Sequence, residues 1–395
     1  MVEWKKLGEV ASYYRGVTYN KKQEVSSDSG GTKILRANNI TLDSNSLNFD
    51  DVKEISSSVK IKDYQWLYAN DILICAGSGS KEHVGKVAFI EKDIDYAYGG
   101  FMGKLVSSNS IHPRFFFHVI SSELFKKYLD VALNSTTINN LNSTIINEFL
   151  IPVPPLSTQS HIVSILDTFT SSISNLKQQI EERRKQYEYE RDLLLDLEGK
   201  EGVEMKKLGE VCTFSQGIQV PVEQQILEKK EGYCRFLRII DFTQGEEPPR
   251  YVPISDKNYY VDVDDIAMVR YGSPGFVCVG KRGIIANNLF KVNIINSDFV
   301  TKLFLACLLK SKLFQKQIKQ KSLGGALQAI SFGLLRNIIL PFPPLPTQSR
   351  IVSILDTFEQ SISNLEEQLA MREKQYEYYR NQLLTFEGEE ERGKT

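Results

Sequence analysis

The chain has 395 residues, enough for two or more domains, and its 42% hydrophobic and 25% charged content is that of a globular protein with ample core. No apolar run reaches the length of a membrane span, and the opening MVEWKKLGEV lacks the apolar stretch of a signal peptide. The five cysteines form no CxxC and the four histidines show no metal-ligand spacing, so a reduced cytoplasmic setting without a zinc site is expected. The net charge of −1 is unevenly distributed. Residues 1–150 hold 17 basic and 17 acidic residues, 151–204 hold 6 and 10, 205–340 hold 19 and 12, and 341–395 hold 6 and 10. The acid falls on two segments that read as helices. The basic excess falls on a globular segment, where phosphate could bind despite the neutral total.

Taken in order, the chain alternates globular segment, helix, globular segment, helix. The expected boundaries are 1–151, 152–199, 200–340, 341–388, and a charged tail at 389–395, with a short linker, Gly199–Gly202, at the junction of the second and third. The globular segments open alike, Trp4 to Val10 (WKKLGEV) matching Met205 to Val211 (MKKLGEV). Residues 34–40 (ILRANNI) correspond to 236–242 (FLRIIDF), aligning Arg36 with Arg238. Asn70–Cys75 and Asp264–Val269 each predict a short strand entered through an Asp. Small-residue loops follow, Ala76–Lys81 and Arg270–Gly275, and then strand-like runs beginning at Val84 and Val279. Helical spacing of Phe and Leu covers Pro113–Asp130 and Ser297 to about Lys319, followed by loops at Ser135–Asn139 and Gly324–Gln328. Each globular segment is therefore mixed α and β.

The strongest signal is a gapless repeat. Residues 152–176 read PVPPLSTQSHIVSILDTFTSSISNL and residues 341–365 read PFPPLPTQSRIVSILDTFEQSISNL, and the match continues to Gly199 and Gly388. Each copy predicts one helix of about 60 Å. Its apolar seam runs through Ile162, Leu166, Phe169, Ile173, Leu176 and Ile180 in the first copy, and through Ile351, Leu355, Phe358, Ile362, Leu365 and Leu369 in the second. A heptad seam needs a partner, and two copies in one chain invite pairing with each other. Arg183 and Arg372, then Tyr187 and Tyr376, interrupt the seam at matching positions, as either a satisfied polar layer or a register-fixing device.

No catalytic constellation emerges. The Pro-Pro sequences lack the Asn/Asp-Pro-Pro-aromatic pattern of a DNA adenine methyltransferase, the GxxxxGK[ST] phosphate loop is absent, and no Ser/His/Asp or Cys/His arrangement can be argued. The chain is expected to perform no reaction itself. Candidates for contact with nucleic acid are Arg36, Asn38, Ser78, Ser80, Lys81 and Lys86 in the first segment, and Arg238, Arg270, Tyr271, Ser273 and Lys281 in the second. Residues that specify bases should differ between two copies reading different sequences. That favours Asn38, Lys81, Arg270 and Tyr271 for readout, and phosphate or structural roles for Lys86 and Lys281. The shared position of Arg36 and Arg238 makes loop bracing a competitor to guanine contact.

With two copies of Pro-x-Pro-Pro-Leu-x-Thr-Gln-x-x-Ile-Val-Ser-Ile-Leu-Asp-Thr-Phe, each preceded by a variable globular region, the chain resembles the specificity (S) subunits of type I restriction–modification enzymes over almost its whole length. The resemblance implies an α+β fold with two target recognition domains joined by two long antiparallel helices in a pseudo-twofold repeat. It implies binding of double-stranded DNA at a bipartite asymmetric site. It also implies two methyltransferase (M) subunits and two restriction (R) subunits as partners, with S-adenosylmethionine, ATP and Mg in those partners and no cofactor in this chain. The rival reading is a coiled-coil scaffold presenting two similar modules without DNA. It leaves the basic bias of residues 205–340 unexplained.

Overall fold

A computed structural model describes residues 2–26, 30–41, 45–134, 140–243, 247–254, 257–321 and 329–386. The loops expected at Ser135–Asn139 and Gly324–Gln328 and the charged tail lie outside these residues. The chain divides into two units, Met1–Leu176 with Gln368–Thr395, and Lys177–Glu367. The division falls inside the two long helices, Leu156–Leu194 and Leu345–Leu384. Each unit therefore owns one globular segment, part of the helix that follows it and part of the other.

In the first unit, strands Ala11–Arg15, Met102–Ser107, Ile72–Cys75 and Val87–Phe89 form an antiparallel sheet in that order. A second sheet runs Glu24–Val25, Lys53–Ile55, Thr32–Leu35, Ile94–Tyr98, Trp66–Leu67, with a parallel pairing of Ile34 to Ala97 and Leu35 to Tyr98. Ile72–Cys75 is buried at every position because both faces of its sheet are covered. The period-2 alternation of a strand then splits its side chains. Ile72, Ile74, Val87 and Leu105 join the core beneath helices Pro113–Ile120 and Glu123–Asn134, while Leu73, Cys75, Ala88 and Met102 join the core against the second sheet.

The second unit repeats this frame. Its antiparallel sheet runs Cys212–Gln216, Leu289–Ile294, Ile266–Val269, Val277–Cys278. Its second sheet runs Arg250–Pro253, Tyr233–Leu237, Gly283–Ile285, Tyr260–Val261, again with one parallel pairing, Phe236 to Ile284. Ile266, Met268, Phe290 and Val292 face the helical core, and Ala267, Val269, Cys278 and Leu289 the other. All five cysteines are free thiols, and burial pushes those of Cys212 and Cys278 up to about 12.

A lysine links the two sheets in each unit, buried in the first and half-buried in the second. Lys104 Nζ donates to the Trp66 carbonyl at 2.8 Å and pairs with Asp71 at 3.0 Å, and Asp71 also accepts from the Tyr68 N–H. In the second unit Lys291 Nζ donates to the Tyr260 carbonyl at 3.0 Å and pairs with Asp265 at 2.6 Å, which accepts from the Asp262 N–H. This is the work of the Asp that opens each strand. The pairs differ in one cation. Burial pushes the Asp71 carboxyl above its usual range despite Lys104. Burial acts the same way on Asp265, but hydrogen bonds from Lys291 and from an added Lys302, 2.6 Å away, overcome it and hold the carboxyl at about 2.

Each long helix is anchored where it begins. Antiparallel ribbons, Glu3–Lys6 with Leu150–Val153 and Glu204–Lys207 with Ile339–Phe342, lead into Pro-Pro and then the helix. The Gln of the repeated Thr-Gln is wholly buried in both units. Gln159 accepts from the His112 N–H at 2.7 Å and donates to the carbonyls of Pro154 and Ser110 at 2.7 and 3.3 Å. Gln348 accepts from the Thr301 N–H at 3.0 Å and donates to the carbonyls of Pro343 and Phe299 at 2.9 and 2.8 Å.

Within each unit the start of one long helix runs antiparallel to the end of the other. In the first, Ile162 and Leu166 share a core with Leu384, and Phe169 stacks on Tyr379 at 5.3 Å. In the second, Ile351 and Leu355 share a core with Leu195 and Leu197. Ile180 is also buried, while Phe169, Ile173, Leu176, Phe358, Ile362, Leu365 and Leu369 are half-buried. The polar interruptions have partners. Arg372 lies over Phe169 and Arg183 over Phe358, Tyr376 meets His118, and Tyr187 donates to Glu359 at 2.7 Å.

Two outcomes are expected. Gln159→Leu leaves buried backbone groups unpaired and lowers the stability of the first unit by about 2–4 kcal/mol. Trp4 and Trp66 both lie in that unit, so a urea titration followed by tryptophan fluorescence reads the loss directly. Lys302→Ala raises the Asp265 pKa from about 2. A depressed carboxylate contributes stability that is present above its unfolded value and lost as pH falls through its folded one. The variant therefore loses that contribution at higher pH, and a carboxyl NMR titration unchanged by it refutes the role given to Lys302.

Candidate nucleic-acid interface

The two sheets of each unit meet along one edge, where the first strand of the antiparallel sheet runs on into a bridge with the second. In the first unit Val17 pairs with Gly99 in parallel, and its N–H donates to the Tyr98 carbonyl at 2.7 Å. In the second, Ile218 pairs with Ala286 and donates to Ile285 at 3.0 Å. The preceding glycine permits this approach, since a Cβ on Gly16 or Gly217 would lie 2.2 Å from the carbonyl oxygen of Gly99 or Ala286. The residue before that glycine, Arg15 or Gln216, is thereby fixed at the mouth of the edge.

In the first unit the edge opens into a cleft of about 410 Å³ whose lining includes Arg15, Thr18, Tyr19, Lys21, Arg36 and Phe101, with Glu24 as its acidic member. Arg15 Nε donates to the Gly100 carbonyl at 3.1 Å, while the residue as a whole is exposed, as is Lys21. The equivalent edge of the second unit carries carboxamides. Gln216 bonds Arg270 and donates to the Leu289 carbonyl at 3.1 Å, and Asn287 donates to Gln219. Tyr271 donates to the Asn287 carbonyl at 2.9 Å, and the Arg270 guanidinium lies 5.1 Å over Phe332. Cations suit phosphate and guanine, and carboxamides suit the paired donor and acceptor of adenine.

The other sequence candidates have definite places. Arg36 pairs with Asp51 at 2.9 Å, and Asn38 donates to the same carboxylate. Arg238 pairs with Asp241 and Glu247. Both arginines brace the loop that follows their strand. Lys86 Nζ donates to the Ile40 carbonyl at 2.5 Å, and Lys281 Nζ to the Asp241 carbonyl, so each ties that same loop to the one after Cys75 or Val269. Burial lowers the Lys86 pKa. Ser78 accepts from the Ser80 N–H, and Ser80 donates to Glu82. Lys81 opens a short helical turn, its side chain lying outside those described. Ser273 is exposed.

Sequence reasoning missed Arg15, Lys21 and Phe101 in the first unit, and Gln216, Gln219 and Asn287 in the second. A signal existed. Extending the alignment of the opening segments brings Tyr14-Arg15-Gly16-Val17 against Ser215-Gln216-Gly217-Ile218, a shared glycine preceded by a changed residue. It also missed a network around the buried His118, in which Arg114 forks onto Asp167 at 2.7–3.2 Å and His118 contacts Asp167 at 2.9 Å and the Tyr376 hydroxyl at 3.2 Å. Burial raises and the His118 and Arg114 hydrogen bonds lower the Asp167 carboxyl, with a net result of about 2, and burial lowers the His118 pKa. With no exposure and both ring nitrogens occupied, His118 holds helices together and faces no substrate. Among the described residues no cluster is placed to hold a metal, and no helix is long and apolar enough to cross a membrane.

Comparison with known proteins bears on the whole chain. The model of the type I restriction modification DNA specificity domain matches residues 1–183 and again 200–371. The chain is similar to a putative type I restriction enzyme specificity subunit of Haemophilus influenzae, S.HindORF215P, at 28% identity over 98% of this chain and 96% of the relative. It is similar to the EcoR124I/EcoR124II specificity subunit of Escherichia coli at 29% identity, over 60% of this chain and 61% of the relative. In fold it matches the S subunit of a type I restriction–modification system from M. genitalium, with TM-score 0.57, 16% identity, and 98% and 96% of the two chains covered. A chain from a structure of type I restriction–modification complex assembly gives TM-score 0.60 at 19% identity, covering 97% and 96%. Two specificity domains in tandem, each built on the same pair of sheets and each followed by the same helix, place this chain in the family of type I restriction–modification specificity subunits.

Proposed function

We infer that this chain is the DNA-reading subunit of a type I restriction–modification complex, each unit contacting one half of a bipartite, asymmetric site in double-stranded DNA. The observation that carries the reading is one frame built twice with different side chains on the corresponding edge: Arg15, Lys21 and Phe101 in the first unit, Gln216, Gln219 and Asn287 in the second. A shared frame gives the two readers a common way of meeting a groove. Different edges give them different sequences. The long helices act as the spacer that sets the half-site separation.

The chain itself carries out no reaction in this reading. Two methyltransferase subunits supply S-adenosylmethionine chemistry, two restriction subunits supply ATP- and Mg-dependent cleavage, and the complex works in the cytoplasm. The names of the relatives support the subunit role. Arg36, Arg238, Lys86 and Lys281 shape the loops that present the edge. Arg15, Lys21 and the second unit's carboxamides meet the DNA, along with Arg270 and Tyr271.

Exchanging residues 205–340 for those of another such subunit should change one half-site and leave the other. Methylation mapping in cells that carry the chimaera with its methyltransferase partner reads the result, and a change in both half-sites rules out independent readers. Inserting one heptad at matching places in both long helices should lengthen the accepted spacer. The same mapping showing an unaltered spacer removes the ruler role.

A further inference from the structure

Phe101 is the most exposed large aromatic among the described residues, 69% open to solvent, yet it is held firmly. It sits in a tight turn closed by the Met102 N–H donating to the Gly99 carbonyl at 2.8 Å. Its own carbonyl accepts from the N–H groups of Ala76 and Gly77, both at 2.9 Å. Arg15 secures the next carbonyl back, that of Gly100. Gly77 leaves the space the ring occupies, since a Cβ there would stand 3.3 Å from Phe101 Cδ1. The aromatic is thus presented on a fixed backbone, so little further ordering would accompany its contact with a partner. Around it the cleft offers the cations Arg15 and Lys21 and the ring of Tyr19. Cations interleaved with an apolar plane match a nucleic acid, which offers phosphates and base faces side by side.

We propose that Phe101 inserts against a base step of the half-site contacted by the first unit, partly unstacking it, while Arg15 and Lys21 neutralise the flanking phosphates. The proposal rests on the DNA-reading function above and adds the mode of contact. The second unit carries no aromatic at the equivalent position. Its equivalent position is Asn288, whose carbonyl accepts from the Arg270 N–H as that of Phe101 accepts from Ala76. The duplex is therefore distorted at one half-site and read by carboxamide edges at the other.

The test uses the full chain bound to its methyltransferase partner, on duplexes carrying the mapped site with 2-aminopurine placed in turn along each half-site. The wild-type complex should show bright, unstacked 2-aminopurine at one step of the first half-site, separate from any signal at the methylated base. Phe101→Ala should abolish that signal, weaken binding about tenfold and leave the salt dependence unchanged, because no charge is removed. Phe101→Trp should keep both signal and affinity. Arg15→Ala with Lys21→Ala should flatten the slope of log K against log salt by about 1–2. Most of the Phe101 ring is open to solvent and only its edge rests on Gly77, so the melting temperature of Phe101→Ala should stay within a few degrees of wild type. A Phe101→Ala complex that retains the affinity and 2-aminopurine profile of a site-selective wild type overturns the wedge and leaves the DNA-reading function standing. A wild-type complex that selects no sequence overturns both.

Discussion

One buried carboxamide in each unit decides where a long helix begins and how it leaves the recognition frame. Gln159 and Gln348 sit in the first turn of their helices, and each satisfies one N–H and two carbonyls from two separate loops. The carboxamides are wholly buried and the bonds they make are buried or part-buried, and a buried backbone group left unpaired costs about 1–3 kcal/mol. Only a side chain with both a donor and an acceptor at this reach can serve all three. A glutamate offers no donor when ionised, and an asparagine is one methylene short. The Pro-Pro-Leu-x-Thr-Gln repeat is in this sense a mechanical joint. The extended prolines deliver the chain, the glutamine locks it, and the recognition edge inherits its place from that lock.

The repeat, the two long helices and the tandem mixed α and β segments were legible because they rest on local signals: identity between copies, heptad spacing, proline and glycine placement. The double-sheet frame was not. Its strands are two to six residues long and pair across large separations, as when Lys104 in one sheet reaches the Trp66 carbonyl in the other. Nothing in a short window announces such pairing. The same limit applied to the site. Arg36 and Arg238 were visible as an aligned pair, but their commitment to Asp51, Asp241 and Glu247 depends on loops distant in sequence. Arg15 and Gln216 matter because a glycine next to them lets two backbones touch, a fact of tertiary geometry.

The two copies also show how one position acquires different physics. Asp167 and Asp356 occupy the same place in the repeated Ile-Leu-Asp-Thr-Phe. The first meets Arg114 and His118 and is held at about 2. At the second, the residues matching that Arg and His are Leu303 and Cys307, and burial with the Glu359 charge raises the carboxyl instead. The second unit builds its joint with Tyr187 donating to Glu359 and Arg184 pairing with Glu366. The frame tolerates this exchange because the glutamine lock and the interstrand lysine are kept in both.

The way the units share the long helices bears on the order in which the protein can be made. The second unit is one continuous stretch, Lys177–Glu367, whereas the core of the first needs Leu384 and packs Tyr376, Leu383 and Phe386 against it. A nascent chain therefore emerges with its first-made domain lacking part of its core, while the later-made domain has every residue it needs. Completion of the first unit waits on translation of the second long helix, with a loop closure of some two hundred residues. Until then Ile162 and Leu166 lack the Leu384 side chain with which they share that core.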